Sequence, residues 1–193
     1  MEIHFRRIRI RITFGFFAVN ALYILSGAAG SEAVSVLLFC IMHELAHLWA
    51  MSLSDISVSR ITVYSGGFEI KSRTPIDMLP LPSRLFILSA GCAANILAAI
   101  IFKLMGFELW SLINLSLALF NLLPCAGLDG GELIRAAAET ICPDFCIDRL
   151  QRAIGAVVVI AAAAIFILRG SISFTLPLTL ALIAFEKLDD HAL

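Results

Sequence analysis

The chain has 193 residues, of which 60% are hydrophobic and 15% charged, with a net charge of −1. Soluble domains carry about 45–50% apolar and about 25% charged residues, so the composition excludes an ordinary soluble globule and does not suggest a nucleic-acid partner. A mean hydropathy of +0.96 predicts an all-α polytopic membrane protein whose apolar surface faces a lipid bilayer.

Six apolar segments are candidates for transmembrane helices, because a helix needs roughly 20 apolar residues to cross the hydrocarbon. They are residues 12–29, 33–53, 85–105, 109–123, 153–168 and 172–185. The arginine-rich stretch before the first segment is interpreted as its basic flank, retained in the mature protein. Of the fourteen Lys and Arg residues, only Lys103 and Arg169 fall outside the cytoplasmic side of this arrangement. The distribution predicts cytoplasmic N- and C-termini.

Two polar stretches interrupt the apolar segments. Residues 56–71 alternate β-branched and polar side chains around Gly66-Gly67, which predicts a small membrane-associated β-hairpin between the second and third helices. Because an unpaired strand edge is unfavourable against lipid, this hairpin is expected at the interface or beside a protein-walled cavity. Residues 131–152 predict an interfacial helix. The five cysteines are interpreted as unpaired thiols; they are Cys40, Cys92, Cys125, Cys142 and Cys146.

A metal-binding motif, His43-Glu44-Leu45-Ala46-His47, lies within the second segment. Residues i and i+4 share one face of a helix, so both imidazoles can reach one metal ion. Zinc lowers the pKa of a bound water to about 7, and Glu44 is placed to take its proton. Ionisable groups inside a membrane span are costly and usually functional. The motif therefore predicts a catalytic zinc centre with Glu44 as the base.

The zinc centre needs a third protein ligand, since catalytic zinc normally has three. The other histidines, His4 and His191, lie at the ends of the chain, so the candidates are carboxylates. Asp129 follows Pro124 in an irregular stretch at membrane depth, which is tolerated where backbone faces protein or water. Asp-Gly is also a common turn pair, but the unfilled zinc position favours Asp129 as the ligand.

Together, His43-Glu44-x-x-His47 and Asn121-x-x-Pro124-x-x-x-Leu128-Asp129-Gly130 resemble the site-2 protease family of intramembrane zinc metalloproteases. The resemblance implies that His43, His47 and Asp129 bind zinc and that Glu44 is the catalytic base. It also implies that Asn121 holds the substrate or the developing oxyanion. The substrate would be a membrane protein or membrane-associated protein, cleaved in or near its membrane segment.

The size and layout are similar to the compact branch of this family that includes a sporulation sigma-factor-processing protease. The resemblance implies a bacterial cell membrane. Because His43 and His47 lie in the cytoplasmic half of their predicted span, the active site is expected toward the cytoplasmic side. Residues 1–193 are interpreted as a single membrane metalloprotease domain with no PDZ or CBS domain. Regulation would then come from a separate membrane protein.

Two further stretches resemble the family. Residues 89–95 match a motif in which Cys92 replaces a proline, and Asn95 is interpreted there as a packing or hydrogen-bonding residue. The turn from Tyr64 to Gly67 resembles the family's hairpin, which implies pairing with an unwound substrate strand.

Three alternatives remain at this point. A different metalloprotease class would use a downstream glutamate, Glu132 or Glu139, as third ligand. A zinc transporter, or a non-proteolytic zinc-binding membrane protein, would need no base at Glu44 and would usually line a path with polar residues from several spans. A membrane serine protease is disfavoured because the chain has no convincing G-x-S-x-G motif.

Overall fold

The computed structural model describes residues 2–5, 8–14, 16–17, 31–64, 67–141, 147, 149–151 and 153–157. These residues form two compact units. The sheet unit contains the described residues of 1–34 and 56–74, and the helical unit contains those of 35–55 and 75–171.

The sheet unit is built on four strands in the order β1-β2-β3-β4. The strands are β1 (Glu2–Phe5), β2 (Ile8–Ile12), β3 (Val58–Tyr64) and β4 (Gly67–Ser72). β3 and β4 are antiparallel, with Ile61 opposite Ile70, which confirms the predicted hairpin. β2 and β3 are parallel, with Ile10 opposite Ile61, so β3 is an internal strand.

The N-terminal residues differ from the predicted basic flank of a membrane span, because they form β1 and β2. In β2, Arg9 and Arg11 alternate with isoleucines, which is the period of two expected of a strand. The bond from Thr13 N–H to the Val63 carbonyl, at 2.9 Å, continues the pairing beyond β2. The fold is therefore helical with a four-stranded sheet, and the prediction of an all-α protein with an isolated hairpin is wrong in this respect.

Four helices have defined bounds in the described part of the chain, and the helical unit contains most of the first and all of the other three. They are α1 (Ser31–Leu53), α2 (Leu81–Leu104), α3 (Glu108–Asn121) and α4 (Asp129–Ile141). Pro80 and Pro82 start α2, where the first turn needs no intrahelical N–H donor. This helix begins at Leu81 and not at residue 85 as predicted. α4 matches the first part of the predicted interfacial helix, and Pro143 lies outside the described residues.

Among the described residues, two helical stretches are long and apolar enough to cross a membrane, Val34–Leu53 and Leu81–Leu104. Only 17% and 33% of their most apolar windows are buried, whereas the core helix of a soluble protein would be mostly buried. Large apolar side chains such as Leu45 and Trp49 are more than half exposed. This surface is suited to lipid contact.

The remaining predicted spans are not established. α3, with 14 residues, is shorter than the roughly 20 residues that cross a bilayer. The first predicted segment begins within β2, and most of its other residues lie outside the described chain. The fifth segment is described only at residues 153–157, which are helical, and the sixth lies wholly outside.

An aromatic cluster joins three helices at one end of the helical unit. Phe102 of α2 lies 5.4 Å from Phe39 of α1 and 5.3 Å from Trp110 of α3, measured between ring centroids. Phe107 stacks on Trp110 at 5.0 Å. Such edge and stacked contacts are worth about 0.5–1.5 kcal/mol each beyond area burial. They hold α1 beside α2, the helix pair that builds the site described next.

Candidate metal centre

His43 and His47 lie on the buried face of α1. The two residues are 5% and 9% exposed, although Leu45 on the same helix is 56% exposed. The four-residue spacing stacks one ring above the other along the helix, and the two Nε2 atoms are 3.2 Å apart. Two buried nitrogens facing each other at this distance need a shared proton or a shared metal ion between them.

Asp129 comes to the same point from the first turn of α4. Its Oδ2 lies 3.0 Å from His43 Nε2 and 3.2 Å from His47 Nε2. The preceding loop folds back closely on this turn, since a Cβ at Gly130 would lie 2.1 Å from the Leu122 carbonyl oxygen. The glycine after Asp129 is therefore needed for the close approach of loop and helix that brings the carboxylate to the histidines.

The hydrogen bond at the far side of His47 decides its tautomer. Nδ1 of His47 lies 2.8 Å from the Ile87 carbonyl oxygen in α2. A carbonyl can only accept, so Nδ1 carries the proton and donates it. In the neutral ring, Nε2 then presents a lone pair toward His43 and Asp129. This is the usual arrangement of a metal-binding histidine, whose other nitrogen donates to a carbonyl or carboxylate.

The three facing atoms fit a zinc ion. Their separations are 3.0, 3.2 and 3.2 Å, and ligand atoms about 2.0–2.1 Å from a tetrahedral zinc lie about 3.3–3.4 Å apart. Room is also present, because Gly91 of α2 has no side chain to occupy it. A Cβ at Gly91 would lie 2.4 Å from His47 Nε2 and 2.5 Å from His43 Nε2. Two imidazoles and a carboxylate are a donor set typical of catalytic zinc.

The charge on Asp129 suits this role. Burial by itself would raise the pKa of the carboxyl group, because it disfavours the charged form. The neighbouring imidazoles of His43 and His47 outweigh burial and hold the pKa of Asp129 below its ordinary value. The carboxylate is therefore ionised and available as a ligand.

Glu44 and Asn121, the other two predicted site residues, are not among the three residues whose side-chain atoms meet. Glu44 follows His43 on α1 and is half-buried. Asn121 is the last residue of α3, and its Nδ2 donates to the Leu117 carbonyl at 3.0 Å. Among the described contacts, no hydrogen bond joins Asn121 to the histidines or to Asp129.

Sequence reasoning did not anticipate the contact that Cys92 makes. Its thiol donates to Asp129 Oδ2 at 3.4 Å, and the ligand atoms of His43, Cys92 and Asp129 all lie within 4.8 Å of one another. Cys92 is thus a second candidate for metal binding beside His47. We favour His47, because its Nε2 lies within 3.2 Å of both other ligand atoms and its tautomer is fixed by the Ile87 carbonyl.

The glutamates considered as alternative ligands have other partners. Glu139 Oε2 accepts from Arg84 at 2.9 Å, and Arg84 also pairs with Asp77 at 3.3 Å. Glu132 lies 3.9 Å from Arg135. The carboxylate that meets the two histidines is that of Asp129.

Comparisons with known proteins found a matching family profile, a sequence relative and a similar solved structure. The profile of Peptidase family M50 matches residues 104–166, a stretch that includes Asp129. The chain is 33% identical to the protein named "Putative zinc metalloprotease Rip3" in two strains of Mycobacterium tuberculosis, over 59% of this chain. It covers 32% of that relative's length. A solved structure, "Site-2 Protease from Methanocaldococcus jannaschii", has the same fold, with a TM-score of 0.69 at 18% identity over 93% of this chain and 90% of that one.

Proposed function

We propose that this chain is a member of the site-2 protease family of membrane zinc metalloproteases and a zinc endopeptidase that cleaves membrane-embedded or membrane-associated segments of other proteins. The observation that carries the proposal is the meeting of His43 Nε2, His47 Nε2 and Asp129 Oδ2 within 3.2 Å of one another. Two of these atoms belong to a helix long and apolar enough to span a membrane.

Each residue of the site has a task in this proposal. His43, His47 and Asp129 would hold the zinc ion, which when bound polarises the scissile carbonyl and acidifies a water molecule. Glu44 takes a proton from the attacking water and passes it to the leaving amide nitrogen as the C–N bond breaks. General-base catalysis of this kind contributes about 10²–10⁴-fold to the rate.

Asn121 is proposed as the donor to the negative charge that develops on the carbonyl oxygen. Its amide nitrogen carries two hydrogens, and the bond to Leu117 uses one of them. The second remains available for substrate. An oxyanion donor contributes about 10²–10³-fold to turnover in comparable enzymes.

The sheet supports a way of holding an unwound substrate. β3 is covered on one side by β2 and on the other by β4, so among the described strands the outer edge of the hairpin is β4, residues Gly67–Ser72. An extended peptide can add to such an edge through main-chain hydrogen bonds. With the Glu44→Gln protein and a substrate segment, amide exchange should slow across β4 and stay unchanged across β3. Exchange in β4 that ignores the peptide would contradict this mode of binding.

The orientation and regulation of the protein also remain proposals. The bias of Lys and Arg supports cytoplasmic termini and a site toward the cytoplasmic side of a bacterial cell membrane. We further propose that a separate membrane protein controls access to the site.

The direct test of the proposed reaction compares the purified wild-type protein with Glu44→Gln and Asp129→Ala, each incubated with a single-span substrate protein in detergent micelles. We expect Glu44→Gln to lose cleavage by at least about 10²-fold and to keep one bound zinc. Asp129→Ala should lose both, because it removes a ligand. Cleavage by Glu44→Gln at the wild-type rate would refute the catalytic assignment.

The zinc-transporter alternative makes the opposite prediction in a second assay. Zinc flux into liposomes that contain the protein should be absent if the site is proteolytic. Flux that persists in Glu44→Gln and disappears in Asp129→Ala would favour transport.

A further inference from the structure

The two histidines of the metal centre are held by α2 in different ways. Nδ1 of His47 donates to the Ile87 backbone carbonyl at 2.8 Å. Nδ1 of His43 instead lies 3.4 Å from the side-chain Nδ2 of Asn95. Ile87, Gly91 and Asn95 are four residues apart, so one face of α2 supplies a partner for His47, the open space, and a partner for His43.

Asn95 is wholly buried, with 0% exposure. Burial of an amide in a membrane-spanning helix is unfavourable unless it is hydrogen-bonded. Its Oδ1 has no hydrogen-bond partner among the described residues. The amide can therefore turn by half a revolution, exchanging Nδ2 and Oδ1, without breaking any bond that Oδ1 now makes.

The arrangement of His43 without metal follows from these contacts. With a proton on Nε2, His43 donates to Asp129 Oδ2 at 3.0 Å. Nδ1 then carries a lone pair and accepts from Asn95 Nδ2. Every polar atom of the His43 ring is satisfied in this state.

Metal binding reverses the requirement. If His43 held zinc through Nε2, the lone pair there would be used, and the single proton of the neutral ring would be on Nδ1. Nδ1 becomes a donor and faces the donor Nδ2 of Asn95, which is repulsive. Turning the amide replaces Nδ2 by Oδ1 and restores a hydrogen bond. Since oxygen and nitrogen of an amide occupy nearly the same positions, the turn needs no movement of the helices.

We propose that Asn95 is a positioning residue for the zinc ligand His43, whose amide donates to Nδ1 when the site is empty of metal and accepts from Nδ1 when zinc is bound. The inference rests on the proposed zinc site. An amide serves both states, whereas a carboxylate serves only the metal-bound state and an aliphatic side chain serves neither. A zinc-bound imidazole is a stronger hydrogen-bond donor than a neutral one, so the bond that Oδ1 accepts in the zinc-bound state is stronger than the bond that Nδ2 donates in the metal-free state. Loss of such a partner typically lowers metal affinity about 10–100-fold.

Zinc affinity, measured by competition with a chromogenic chelator, tests this role with matched variants. Asn95→Leu keeps the branching at Cγ and removes the hydrogen bond, and we expect its dissociation constant for zinc to rise about 10–100-fold. Asn114→Leu is the control and should keep wild-type zinc affinity. Asn114 is equally buried and its Oδ1 also has no partner in the described part of the chain, but its Nδ2 donates to the Trp110 backbone carbonyl within α3. Asn95→Asp should keep affinity within about tenfold of wild type, since it retains an acceptor.

Three outcomes have distinct meanings. If thermal melting shows that both proteins are folded, equal zinc affinity of Asn95→Leu and wild type would overturn the role of Asn95 and leave the zinc site intact. Equal losses in Asn95→Asp and Asn95→Leu would also overturn it, because acceptance at Nδ1 would not matter. Failure of the wild-type protein to bind one zinc would overturn both the inference and the proposed function.

A second measurement uses the wild-type protein and so does not depend on the folding of a variant. The chain has only four histidines, so ¹⁵N-histidine labelling gives a simple spectrum. In the zinc-loaded protein, His43 should be protonated at Nδ1 and the proton should exchange slowly with solvent. In the metal-free protein, the proton should reside at Nε2. A zinc-loaded spectrum with His43 bound through Nδ1 would refute the inference.

Discussion

Gly91 leaves the space in which the two histidines of α1 approach α2, and replacing it with alanine tests the geometry of the centre. An added Cβ would lie 2.4 Å from His47 Nε2 and 2.5 Å from His43 Nε2. The preferred separation of non-bonded carbon and nitrogen atoms is at least about 3.5 Å, so each ring would have to move away by about 1 Å. His47 cannot retreat alone, because its Nδ1 is tied at 2.8 Å to Ile87 on the same helix.

The consequence for function follows from that displacement. A misplacement of about 1 Å in a catalytic arrangement can lower the rate about 10²-fold, and here two metal ligands move together. We therefore expect Gly91→Ala to lower kcat/KM at least about 100-fold. Zinc affinity should fall by more than about 10-fold, which is the smallest typical effect of losing a residue that only orients a metal ligand.

Gly155→Ala is the matched control for this substitution. Gly155 is also helical, and a Cβ there would meet nothing within 4 Å. Alanine should stabilise that position by about 0.5–1 kcal/mol and leave zinc affinity unchanged. Zinc content and affinity of the two purified variants, with thermal melting, give the comparison. Stoichiometric zinc at wild-type affinity in Gly91→Ala would refute the proposed position of the metal.

Three further substitutions separate the roles of residues around the centre. Cys92→Ser should keep zinc, and the cobalt-substituted wild-type protein should lack a sulfur-to-cobalt charge-transfer band; an intense near-ultraviolet band would make Cys92 a ligand. Gly130→Ala places a Cβ 2.1 Å from the Leu122 carbonyl oxygen, and should cost about 1–3 kcal/mol of stability as well as zinc affinity, measured by denaturation and chelator competition. Glu139→Gln should lower the free energy of unfolding by about 1 kcal/mol, because Glu139 pairs with buried Arg84. Its zinc content should not change, and loss of zinc in this variant would favour Glu139 as the third ligand.

The meeting of His43, His47 and Asp129 could be predicted from sequence because the spacing of the two histidines is local and a zinc site has few donor sets. His43 and His47 are one helical turn apart, which fixes their common face once the helix is recognised. Asp129 could be proposed only because two histidines leave a zinc site incomplete. The structure brings its Oδ2 within 3.0 and 3.2 Å of the two imidazoles.

The partners of the cluster on α2 could not be ranked from the sequence. Cys92 and Asn95 were recognisable as polar positions in an apolar stretch, but their contacts depend on how α1, α2 and α4 pack. Packing in a membrane is directed by small residues and shape, and lipid supplies no hydrophobic contrast between helix faces. The four-residue spacing of Ile87, Gly91 and Asn95 was the available signal, and it gives a face without naming what the face contacts.

The N-terminal strands were missed for a different reason. Arginines before an apolar segment indicate the cytoplasmic flank of a membrane span, and that interpretation outweighed the alternation of Arg9 and Arg11 with isoleucines. A strand of this kind becomes stable only through pairing with β3, which lies more than forty residues later in the chain. The alternation was present in the sequence, but its partner was not evident from it.

The central claim is that one zinc ion held by His43, His47 and Asp129 is required for peptide-bond hydrolysis. The most direct measurement removes metal from the purified protein with a chelator, confirms that the fold is retained, and titrates zinc back while cleavage of a single-span substrate is followed. We predict that cleavage is lost with the metal and returns in proportion to added zinc up to one equivalent, and that Asp129→Ala recovers neither binding nor cleavage. Undiminished cleavage by the metal-free protein would contradict the claim.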